Sequence, residues 1–107
     1  MPASRVPDSV RLTDAALQDA RAAARSYESL RPGYGELFGR RLHECLRRIA
    51  EHPESYQQVN ARYRRALLRH FPFLVVYRLK PQGVEVVGVL PEREDPAALT
   101  ERAQSRE

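Results

Sequence analysis

The spacing of apolar residues changes near Pro53, and that change divides the chain into a helical half and a strand half. Val6 to Leu12 alternates crudely and reads as a short strand. Thr13 then offers a hydroxyl to the free amides of a helix start, and Asp14 places negative charge at its positive end. Leu17, Ala20, Ala24 and Tyr27 follow at helical spacing, so an amphipathic helix is expected up to Pro32-Gly33. A second helix is expected from Gly35 to Glu51. Phe38, Leu42, Cys45 and Ile49 lie on one face with Leu37 and Leu46 beside them, while Arg40, Glu44 and Arg47 face solvent. Pro53 stops this helix, because the residue before a proline resists the α conformation. The short connection from Arg31 to Tyr34 makes the pair an antiparallel helical hairpin.

After Pro53 the period falls to two. Tyr63 to Phe71 reads as a strand with Arg65, Leu67 and Arg69 on one side and Ala66 and Leu68 on the other. Phe73 to Leu79 is a continuous apolar run of strand length, and Val84 to Leu90 is another, rich in valine. Lys80-Pro81-Gln82-Gly83 is a turn between them, so the two form a hairpin buried on both faces at the sheet centre. Asp95-Pro96 opens a short terminal helix, with aspartate capping and proline in the first helical position. From about Ala103 the chain reads as a frayed polar tail. The expected class is α+β, a helical hairpin on one face of a small, mainly antiparallel sheet.

Composition adds bounds. A chain of 107 residues suits one domain, here 1–107 with a core from about 6 to 102. Apolar content of 42% and charged content of 30% are ordinary for a water-soluble globule. The longest apolar run, Phe71 to Tyr77, is far short of the roughly 20 residues that cross a bilayer. The start of the chain lacks the apolar segment of a signal peptide. A lone cysteine, Cys45, excludes a disulfide framework and a cysteine metal cluster and suits a reducing cytoplasm. The net charge is +4, and Lys80 is the only lysine. Acidic residues are missing from 56–81, where Arg62, Arg64, Arg65, Arg69, Arg78 and Lys80 all lie. Such a stretch is either a solvated face or a surface for an acidic partner.

Several sequence words in fixed order then resemble the ParE/RelE toxins of type II toxin–antitoxin systems, with the ParE branch the nearer. They are His52-Pro53-Glu54-Ser55-Tyr56, the run Arg64-Arg65-Ala66-Leu67-Leu68-Arg69-His70-Phe71-Pro72-Phe73, and Val75-Val76-Tyr77-Arg78. Pro32-Gly33 followed by Phe38 is similar to the family's helical hairpin. Arg93-Glu94-Asp95-Pro96 with Arg102 stands where many members read Arg-Arg-Asp-Pro and a later arginine. Two positions depart from that pattern: Pro91 replaces a common histidine, and Glu94 replaces the second arginine.

The resemblance implies a toxin neutralised by a cognate antitoxin, and it leaves the target open. RelE-type members cleave mRNA on the ribosome without a metal, which requires groups that move protons and cations that hold phosphate. Matched to their catalytic positions, Arg65 stands for a first lysine, Leu67 for a second, Leu74 for an arginine, and Arg93 keeps a late arginine. No tyrosine follows Tyr77. Arginine does not deprotonate, so it is a poor proton carrier. If the chain were a nuclease, Arg65, His70 and Arg93 would be its catalytic candidates.

ParE-type members instead inhibit DNA gyrase by binding, which needs a shaped surface, and this reading is favoured. A third possibility is a non-toxic binding module on the same fold. Arg62, Arg64, Arg65, Arg69, Arg93 and Arg102 are the candidates for contact with target or nucleic acid. His43 is read as solvated, His52 as a helix cap, and Cys45 as a packed thiol. Tyr27, Phe38, Phe73 and Tyr77 are read as core. No metal or cofactor is expected. The antitoxin tail is expected along the helical hairpin and sheet edge.

Overall fold

The computed structural model describes residues 9–105. Its first strand, β1, is Val10–Leu12; the part of the expected strand that includes Val6 lies outside the described residues. Helix α1, Asp14–Leu30, starts as expected, with Thr13 Oγ1 accepting from the Ala16 amide at 3.1 Å. Its buried stripe is Ala16, Ala20 and Ala23, whereas Leu17 is 37% exposed. Of the expected stripe, Ala20 is buried and Ala24 and Tyr27 pack against the core; Leu17 alone falls outside it, while Ala16 and Ala23 are buried. Positions 16 and 17 both continue a helical spacing, and contact with the sheet decides between them.

Helix α2, Tyr34–Glu51, buries Phe38, Leu42, Cys45, Leu46 and Ile49. The link before it needs Gly33, which sits at φ 89°, where L side chains are strained. The Glu28 carboxylate accepts from the Gly33 amide at 3.1 Å and the Gly35 amide at 3.0 Å. One acidic side chain of α1 thus satisfies amides at the positive end of α2.

The remaining elements are β2 (Arg64–Leu67), β3 (Phe73–Lys80), β4 (Gly83–Pro91) and α3 (Pro96–Ser105). Strand order is β1-β4-β3-β2, with β1 parallel to β4 and the other pairs antiparallel. The hairpin runs in register from Lys80↔Gly83 to Phe73↔Pro91, with an irregularity at Val76/Tyr77. Gly83 sits at φ 139°, and a Cβ there would meet the Ser9 carbonyl oxygen at 2.2 Å, so only glycine lets β1 join here.

β2 is shorter than the expected 63–71. The Leu68 amide donates to the Phe73 carbonyl, the Phe73 amide to the Phe71 carbonyl, and His70 takes φ 79°. These bonds turn the chain through a corner, so Arg69 and His70 leave the strand. Outside β2, Gln58 bridges Arg64 and the Arg65 amide donates to the Gln57 carbonyl. The preceding loop therefore covers what would be an open sheet edge.

α1 and α2 cover one sheet face, over Ala66, Val75, Tyr77, Val84, Val86 and Val89. The other face carries Tyr63, Leu74, Val76, Val87 and Leu90, packed by Val59 and by Leu99 and Ala103 of α3. α3 begins as expected, with Asp95 Oδ1 accepting from the Ala97 amide at 3.0 Å. It does not fray at Ala103 but stays helical to Ser105, because Ala103 has a packing partner. Among the described residues no helix is long and apolar enough to cross a membrane.

Candidate functional site

β1 pairs only with Val84–Val86, so the rest of β4 runs beyond it with its outer edge facing α1. Between that edge and α1 lies an open groove of about 910 Å³. Ala22, Tyr27 and Leu30 form the helical wall, Pro72 and Phe73 the end, and Glu92, Arg93 and Glu94 the lip. Leu30 is 76% exposed, a large apolar side chain left uncovered at the mouth. The 92–94 segment is held beside the corner by the Glu92 amide, which donates to the Pro72 carbonyl at 2.8 Å.

Asp19 marks the inner end of the groove. Its Oδ2 accepts from the Val89 amide at 3.1 Å, giving the unpaired strand edge a side-chain partner. Burial pushes the Asp19 carboxyl above its ordinary range; the Val89 hydrogen bond opposes this, nearby Glu94 reinforces it, and Arg102 also opposes it. Asp19 was not singled out from the sequence. The signal was there, since position 19 is three after Ala16 and four before Ala23, within the stripe that meets the sheet.

The sequence-chosen arginines do not form one cluster. Arg64 and Arg65 are neighbours on β2, so the pleat sends them to opposite faces. Arg64 Nη1 donates to the Tyr56 carbonyl at 2.7 Å, while Arg65 Nη2 donates to Gln57 Oε1 at 3.0 Å. Arg62 is exposed in the loop before β2, Arg69 is exposed in the corner, Arg93 lies on the groove lip, and Arg102 is exposed on α3. Arg78, absent from the sequence candidates, shares a notch with Arg62 and Arg64 and pairs with Glu85 at 3.0 Å. That pairing was readable from the two-residue turn, which aligns Arg78 with Glu85 across the hairpin.

The nuclease candidates are also spread out. Arg65 pairs with Val76, three residues along β3 from Phe73, whereas Arg93 follows Pro91, which pairs with Phe73. That offset is about 10 Å along the strand. His70 is exposed at the corner, edge-on to Phe71 at 5.2 Å between ring centroids. Leu74, at a position where the resemblance places an arginine, is buried in the second core.

Of the other singled-out residues, His52 closes α2 through its backbone amide, which donates to the Arg48 carbonyl. His43 differs from the solvated side chain expected, because its Nδ1 is enclosed without a hydrogen-bond partner. Cys45 is fully buried, and burial pushes its thiol up to about 11, which keeps it un-ionised and unreactive. Tyr77 is core but also polar, its hydroxyl donating to the Pro53 carbonyl at 2.6 Å. Among the described residues no group of His, Cys, Asp and Glu is arranged to hold a metal ion.

Comparison with known proteins agrees with the resemblance seen in the sequence. A search of characterised protein sequences returned no match. Among solved structures, a chain of the chromosomal ParDE toxin–antitoxin system from P. aeruginosa is similar, with a TM-score of 0.70. The match covers 78% of this chain and 94% of that one at 17% identity, a likeness of fold. The family model described as the ParE toxin of the type II toxin–antitoxin system, parDE, matches residues 10–96. The chain belongs to that family of ParE toxins.

Proposed function

We propose that this toxin arrests growth in the cytoplasm by binding DNA gyrase, with no catalytic step of its own. A cognate antitoxin would silence it by filling the groove between α1 and β4. The observation that carries this reading is the groove itself, an apolar channel along a strand edge that β1 leaves unpaired. Such an edge with flanking apolar walls suits an extended or helical peptide segment. Its charged residues are Asp19, Glu92 and Glu94 against Arg93, so the segment that fits is apolar with a basic side chain. The catalytic positions support binding over cleavage, since Leu67 and Leu74 cannot move a proton and Arg65 is engaged with Gln57.

Ribosome-dependent cleavage is the second reading. It is favoured by the bond from the Glu92 amide to the Pro72 carbonyl, which brings the segment carrying Arg93 to the corner that carries His70. Pulse labelling after induction of this chain alone separates the two. Early loss of DNA synthesis with a DNA-damage response, reversed by co-expressed antitoxin, is the expected result. Early loss of protein synthesis would overturn the gyrase reading and turn attention to Arg65, His70 and Arg93. No growth effect at all would leave a binding module without toxicity, in line with Pro91 and Glu94.

A further inference from the structure

We propose that Asp19 and Pro91 close the outer edge of β4 to backbone pairing, so that the groove beside it takes a helix and not an added strand. This rests on the groove being the antitoxin's seat, and it names the form in which the antitoxin enters. Val75↔Val89 and Phe73↔Pro91 are cross-strand pairs two residues apart, so Val89 and Pro91 turn their backbone groups to the same side of β4. That side is the groove, because the Val89 amide donates to Asp19 Oδ2 on α1 at 3.1 Å. The next position keeps the alternation: the Glu92 amide points the other way, to the Pro72 carbonyl.

An added strand needs an amide and a carbonyl at each outward residue. At Val89 the amide is already taken. At Pro91 there is no amide to give, because the ring nitrogen carries no hydrogen. The Pro91 carbonyl is taken too, accepting from the Glu94 amide at 3.0 Å. Among the described residues, that leaves only the Val89 carbonyl on the outer edge from Gly88 to Pro91. A segment lying extended in the groove would bury amides and carbonyls with no partner for most of them, and each such group is unfavourable.

A helix satisfies its own backbone and needs only side-chain contacts from the groove. The α1 wall suits one. Asp19, Ala22, Ser26 and Leu30 recur along it at three- and four-residue spacing. Ala22 and Ser26 are exposed and small, which lets a second helix approach closely, and Leu30 offers an exposed apolar end. Asp19, Glu92 and Glu94 outnumber Arg93 along the lining, so the helix that fits is amphipathic with a basic side chain.

The test uses the full chain co-expressed with its antitoxin, with a photo-reactive amino acid replacing Ala22, Ser26 or Leu30 in turn. All three are exposed, so the fold tolerates the change. Ala22 and Leu30 are about 12 Å apart along the axis of α1. From these two positions a helix alongside should be captured at residues about eight apart, and an extended segment at residues about four apart. The wider spacing is the expected result. The narrower one would overturn the proposal and leave the groove as the seat. An intact complex with no capture from any position would take the antitoxin out of the groove, and the proposal would fall with that reading. Amide exchange tests the closure itself. Asp19→Ala should speed exchange of the Val89 amide about tenfold, while Asp19→Asn, which keeps an accepting oxygen, should hold it near the wild-type rate. Val75, buried in the core, reports on folding in each variant. Unchanged Val89 exchange in a folded Asp19→Ala chain would overturn the closure. If Asp19→Ala fails to fold, the captures at the exposed positions still decide the proposal.

Discussion

The two faces of the sheet are packed by different means. On the hairpin face, helices of 17 and 18 residues close over a cluster of rings. Tyr27 meets Phe71 at 4.6 Å between centroids, and Phe38 meets both Phe71 and Phe73 at 5.2 Å. Edge-to-face contacts of this kind add to the burial of large apolar surfaces. On the second face a helix of 10 residues rests on a smaller cluster, tied down by Asn60 Nδ2 donating to Thr100 Oγ1 at 3.1 Å. The difference teaches where stability and recognition reside. The ring cluster fixes the corner at Phe71–Phe73, and the groove opens directly beside it, so Tyr27 and Phe73 serve both the cluster and the groove wall. At the other end of β3, Arg78 and Lys80 stand against Glu85, and charge replaces rings.

The sharpest way to break the comparison is Phe38→Ala. Phe38 is fully buried between Tyr27, Phe71 and Phe73, so its loss should cost about 3–5 kcal/mol, read from a urea unfolding midpoint. Leu99→Ala on the second face should cost less, roughly 1–2 kcal/mol, because Leu99 is only half-buried. Hydrogen exchange should then show loss of protection in α3 while α2 stays protected. Comparable losses from the two variants would mean that the faces contribute equally.

Tyr77→Phe is the mildest change, removing only the hydroxyl bond to Pro53, at about 1 kcal/mol. It also carries a pH signature. Burial, the largest influence, pushes the Tyr77 phenol from 10.0 up to about 12, with Arg64 opposing. The folded state therefore favours the neutral phenol. That stabilisation is intact below pH 10.0 and is lost as pH rises toward about 12. Tyr77→Phe should flatten the alkaline fall in stability; an unchanged alkaline fall would assign it to other groups.

Much of the fold was legible because local rules and global packing agree. Thr13 and Asp95 cap helices where their hydroxyl and carboxylate can reach free amides. The β3–β4 hairpin follows from two apolar runs around one turn. The exposure of Leu17 was not legible, since Leu17 and Ala16 both satisfy a helical stripe and only contact with the sheet chooses between them. Nor was the early end of β2, because Arg69 and His70 continue the alternation on paper while the Phe71–Phe73 corner bends the backbone away.

The sequence alone determined the class of the protein, its element order and its family, because these depend on residue periodicity and on motifs a few residues long. Tertiary structure decided which charged groups share a site. Arg64 and Arg65 are adjacent in the chain yet sent to opposite faces of the sheet by the strand pleat, where Arg64 meets the Tyr56 carbonyl and Arg65 meets Gln57. The groove likewise exists because β1 stops at Leu12 and leaves the end of β4 to Asp19 and α1. Contacts of that kind depend on register and chain termini in space, and no local pattern encodes them.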